Sequence, residues 1–159
     1  MQDARRQFLE ALLALPAIPL LAQAQEAAPP FKPVVLRGRV VNLADTMQAK
    51  YQTTIDPQRA VIYCLKTAEG KFFPFLPTDL SAAIYEDERF RQRELQVTAR
   101  AFTDLPFIEV IKLQSVKWGR VFDLYYFCNV CNIVTHKPGP CECCQDPVVF
   151  TEEPVKVNN

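Results

Sequence analysis

Glycine is scarce in this chain of 159 residues, with four against thirteen prolines. Most turns must therefore be made by Pro, Asn and Asp. Histidine is nearly absent, His136 being the only one. Acid–base catalysis would have to rest on carboxylates alone. No Ser-His-Asp arrangement, phosphate loop or His-Glu pair at catalytic spacing is found, and the chain reads as non-enzymatic. Net charge is also missing, with 18 basic and 18 acidic residues. That argues against a broad electrostatic footprint for nucleic acid or an anionic membrane. No apolar run reaches the roughly 20 residues that a membrane-spanning helix needs. At 49% hydrophobic and 23% charged, the composition is globular, not disordered. The length suits one domain, or one domain with a small appendage.

What the chain does have is cysteine in one place. Five of its six cysteines lie between Cys128 and Cys144, as Cys128-Asn129-Val130-Cys131, nine residues, then Cys141-Glu142-Cys143-Cys144. Two paired-thiolate turns can converge on one ion as a closed tetrahedral site. Asn132 follows the first turn and is the best substitute for glycine where positive φ is needed. Gln145 follows the second and fits that conformation less well. Disulfides and a dynamic thiol switch are the competing readings. Adjacent Cys143 and Cys144 make a disulfide framework awkward and leave an odd thiol, so metal is preferred. Cys64, mid-strand and far from the cluster, reads as a small buried apolar residue.

The pattern resembles zinc-ribbon and rubredoxin-type knuckles over Tyr126 to Val148. The resemblance implies Cys128, Cys131, Cys141 and Cys144 as ligands. Cys143 would replace a neighbour or sit unligated, and His136 is a substitute ligand or, more simply, a solvated loop residue. Zinc is expected; the alternatives are iron, which would make an electron carrier, and a soft ion such as copper(I) bound for handling. A closed four-cysteine zinc site leaves no position for water and does not predict hydrolysis.

The N-terminus reads as an address, not as fold. Arg5-Arg6 precede an apolar stretch from Ala11 to Ala22 and a small-x-small site at Ala22-Gln23-Ala24. Arg-Arg-x-Phe-Leu resembles the twin-arginine export signal, departing from it at Ala4 and Glu10. Residues 1–24 are expected to be cleaved, leaving a periplasmic or otherwise exported protein with no transmembrane span. Residues 25–33, with Pro29, Pro30 and Pro33, form the expected linker.

Beyond the linker the chain reads as mainly β. Strands are expected over 34–43, 60–66, 71–76, 95–102 and 107–116, with a further strand over 120–127 running straight into Cys128. Thr67 to Gly70 makes a hairpin turn, and Pro74 marks an edge. Gly38 signals a bulge or sharp bend. A single helix follows Thr78 or Asp79, with Leu80, Ala83, Ile84 and Phe90 as its stripe. Ile108, Val110, Ile111 and Leu113 are core candidates in the fifth strand. Phe72, Phe73 and Phe75 beside Lys71, and Phe102 beside Arg100, read as packing more readily than as a nucleic-acid platform. Glu86-Asp87-Glu88 with Arg89, Arg91 and Arg93 reads as a solvated helix end.

This element order resembles the OB-fold, a small five-stranded barrel with one helix between the third and fourth strands. It covers 34–119, followed by a zinc ribbon over 120–150 and a tail over 151–159. The combination resembles exported bacterial proteins that carry no assigned activity. Beyond metal binding, the expected role is then a binding or assembly module with a protein partner in the cell envelope, and the export signal and zero net charge argue against nucleic acid. Tyr125 and Tyr126 are candidate contact residues, though packing is the commoner role.

Overall fold

The computed structural model describes residues 30–56 and 61–155. The expected export signal, most of the expected linker and the last four residues of the expected tail lie outside them. The described chain is mainly β, with eight strands in one sheet where five were expected in a barrel and one more leading into Cys128. These are β1 (Phe31–Asn42), β2 (Tyr63–Thr67), β3 (Phe72–Pro74), β4 (Glu94–Phe102), β5 (Ile108–Lys117), β6 (Arg120–Cys128), β7 (Ile133–Thr135) and β8 (Val149–Pro154). The order β3-β2-β1-β4-β5-β6-β7 makes one antiparallel sheet, with β8 added along β6. A parallel bridge from Phe75 to Ile108 curls β3 back toward β5 and makes a half-barrel of the first five strands.

The curl begins at Gly38. Residues Phe31 to Arg39 of β1 pair with β4, and Gly38 to Asn42 pair with β2. A side chain at position 38 would run into the backbone of Lys66, so glycine here permits a close approach; of the expected bulge or sharp bend, the bulge is absent, because the pairing of β1 passes through Gly38 without a slip. The bulge falls instead on β5. The register slips between Thr98 and Ala99, whose partners are Lys112 and Val110, so Ile111 is the extra residue. That turns Ile111 outward, 41% exposed, and removes it from the core expected of it.

The interior is otherwise where alternation puts it. Leu95, Val97 and Ala99 of β4 are fully buried against Ile108, Val110 and Leu113 of β5. Phe75, Ile84 and Phe90 belong to the same buried cluster. Each such large side chain contributes roughly 1.5–3 kcal/mol on burial.

The single expected helix is a series of short pieces. A 3-10 turn (Asp79–Ser81) runs into α2 (Ala82–Glu86) and then, beyond a break, α3 (Glu88–Arg91). Asp87 makes the break with an extended backbone, and its carboxylate caps the next piece by accepting from the Arg89 N–H at 2.9 Å. A further helix, α1 (Leu43–Tyr51), comes before these three pieces, in a polar stretch expected to be irregular apart from one turn around Met47 to Tyr51. Asn42 caps it through its side chain at 2.9 Å, and Gln52 ends it in the left-handed conformation.

Candidate metal centre

The site grows out of the sheet. β6 has neighbours on both edges: β5 and then β7 along one, β8 along the other. Its inward side chains Leu124, Tyr126 and Cys128 are buried, Cys128 completely. The first cysteine is therefore the last residue of a strand held on both sides.

Two similar turns bring the remaining sulfurs in. In the first, the Asn132 N–H donates to the Cys128 carbonyl at 2.9 Å, and the Cys131 N–H donates to the Cys128 sulfur at 3.4 Å. In the second, the Gln145 N–H donates to the Cys141 carbonyl at 2.9 Å. Asn132 and Gln145 stand at φ 56° and 64°, so the poorer residue at 145 adopts the left-handed position after all. The approach to the second turn is pinned by the Cys141 N–H on the Asp146 carbonyl at 2.7 Å and by a bridge between Pro140 and Pro147.

The result is four sulfurs, from Cys128, Cys131, Cys141 and Cys144, all within 4.8 Å of one another. Cys128 and Cys144 are 3.5 Å apart, and all six cysteines are free. A tetrahedral ion with metal–sulfur bonds of about 2.3 Å spaces its sulfurs about 3.8 Å apart, whereas a disulfide requires about 2.05 Å. The donor set fits a four-coordinate ion, and this cluster can hold a metal. The Cys141 thiol is drawn down to about 7, chiefly by the N–H groups of Cys144 and Cys143. Such amide donation favours the thiolate that a metal requires.

Two further candidates stay outside the group. Cys143 is exposed, and His136 lies in an exposed loop with Lys137 and Glu142 lining a shallow surface depression. Cys64 is buried in β2, where burial pushes its thiol up to about 11 and leaves it unreactive.

No family model, curated protein or solved structure matches this chain.

The network behind the site was not visible in the sequence. Tyr126, two residues before Cys128, is 2% exposed and is not a surface contact. Its hydroxyl donates to Asp87 at 2.6 Å. Arg89 forms a fork on the same carboxylate at 2.6–3.0 Å. Asp87 is buried, so the acidic run is not wholly a solvated helix end. Burial opposes its ionisation, but hydrogen bonds from Arg89 and Tyr126 outweigh that and bring the carboxyl to about 2. Phe90, Tyr126 and Phe150 then stack as a triangle, with ring centres 5.6–6.2 Å apart. The Glu–Asp–Glu pattern held the only available signal, since an Asx residue between apolar Ile84 and Phe90 is where a helix can stop and restart.

On the outer face, cross-strand partners place Val134, Phe127 and Val149 in one row beside the cysteines. Val134 and Val149 are 54% and 51% exposed. Among the described residues, no helix is long and apolar enough to cross a membrane.

Proposed function

We propose that the four cysteines hold one structural zinc ion, and that the protein is an exported, non-enzymatic binding or assembly module of the cell envelope. The observation that carries the reading is the convergence of four free sulfurs from two like turns. With four protein ligands the ion has no open position, which suits a structural role and not hydrolysis. The strand order and the parallel link between Phe75 and Ile108 support an OB-like barrel for the first five strands, with the cysteine turns as a ribbon-like extension. The outward row of Val134, Phe127 and Val149 supports a protein partner, because exposed apolar rows mark contact surfaces. Export rests on the twin-arginine-like start and the apolar stretch after it.

The test is elemental analysis with a visible spectrum on protein purified without added metal. One zinc per chain and no colour is the expected result. One iron with charge-transfer bands would replace this reading with electron transfer. A metal-free protein with no titratable thiols at the cluster would end the metal reading altogether.

A further inference from the structure

The cluster contains one thiol more than a tetrahedral ion can use. Cys143 sits between two grouped cysteines on the second turn, outside the four-sulfur set and exposed to solvent. Cys128 and Cys141 are 0% and 1% exposed. Solvent oxidants therefore meet the fifth sulfur before they meet the buried ones.

We propose that Cys143 is a peroxide-sensitive modification site that releases the metal by forming a disulfide with Cys131. This rests on the metal reading above.

The choice of partner follows from geometry. Cys144 is next to Cys143 in the chain, and neighbouring Cα atoms are about 3.8 Å apart, below the roughly 4.4–6.8 Å usual for a disulfide. Cys128 and Cys141 are buried at the ends of their turns. Cys131 is half-exposed on the facing turn. Its sulfur lies within 4.8 Å of those of Cys141 and Cys144, the two cysteines that flank Cys143 on the second turn.

The chemistry balances in two steps. The Cys143 thiolate attacks a peroxide oxygen; the O–O bond breaks, an S–O bond forms, and hydroxide leaves as water after taking a proton. The Cys131 sulfur then leaves the ion and attacks the Cys143 sulfur. An S–S bond forms, the S–O bond breaks, and the hydroxyl departs as a second water with a proton. Two electrons pass from sulfur to peroxide in all. The ion drops from four thiolates to three and is lost to solvent or to a competing chelator.

The test uses the full chain loaded with zinc and treated with hydrogen peroxide in the presence of a chromogenic chelator. The native protein should release its zinc and yield a peptide joining Cys131 to Cys143 by mass analysis. Cys143→Ser should hold zinc with unchanged stoichiometry and release it at least about tenfold more slowly, since its exposed entry point is gone. Equal release rates from the two proteins, or a disulfide that omits Cys143, would overturn the switch and leave the metal site standing. Failure of the native chain to hold zinc at all would overturn both.

Discussion

The hydroxyl of Tyr126 donates to the carboxylate of Asp87 at 2.6 Å, across 39 residues of chain. This buried bond fastens the break between α2 and α3 to the strand that ends at Cys128. Tyr126→Phe keeps the ring in its aromatic triangle but leaves the carboxylate one partner short. Hydrogen bonds to charged groups are worth about 1.5–3 kcal/mol, and a loss of that size is expected in urea unfolding. A loss below about 0.5 kcal/mol, the scatter of ordinary surface substitutions, would show the bond to be idle.

Asp87 also sets an acid limit. Its folded carboxyl titrates at about 2, below the value of about 3.9 for an unfolded Asp. A depressed carboxyl contributes stability that is fully present above the unfolded value and is lost as pH falls toward the folded one. The melting temperature of the native chain should fall between about pH 4 and pH 2 more steeply than that of Asp87→Asn. Parallel curves for the two proteins would contradict the assignment.

Gln145 and Asn132 each hold a left-handed backbone with a side chain attached. That conformation costs about 1–2 kcal/mol for most residues, less for Asn. Gln145→Gly should therefore raise the thermal stability of the metal-loaded protein, and more than Asn132→Gly does. Gln145→Val should lower it and weaken metal retention, measured by competition with a chelator. An equal response at the two positions would mean that the turns are not conformationally limited.

Removing the metal should loosen a defined part of the chain. β6 and β8 pair over six positions, Phe122 to Phe127 against Val149 to Pro154. Glu152 of β8 is further held by Ser115, Lys117 and Arg93. Hydrogen exchange of chelator-treated protein should show lost protection over 129–147, including β7, with β6 and β8 still protected. Collapse of β8 together with the cysteine turns would mean that the ion organises the whole extension.

The parts legible from sequence were the locally coded ones. Strict alternation from Leu95 to Ala101 specified β4 and its inward face, and Gly70 at φ 77° closes the hairpin assigned to it. Pro74 does lie in an edge strand of the sheet path. The cysteine spacing announced a site whose sulfurs do come together. What escaped was decided at a distance. Leu80, Ala83, Ile84 and Phe90 make one apolar stripe, but Asp87 interrupts it because Tyr126 and Arg89 wait for its carboxylate. Ile111 looks like its apolar neighbours, and only the slipped register with β4 turns it outward. The α1 stretch is too polar for a stripe, so its cap, Asn42, was the sole cue. β8 is too short and too mixed to announce itself, and its strand character comes from pairing with β6.

The pairing of Phe127 with Val149 has a consequence for where the ion's binding energy goes. A crosslink stabilises a chain partly by removing the freedom of the loop it closes, and long open loops have the most to lose. Here the strands have already brought the two ends of the cysteine segment together. What is left for the ion to constrain is the short stretch between the turns, so little of its affinity is spent on closing chain. Such a site can give up its metal without giving up its fold.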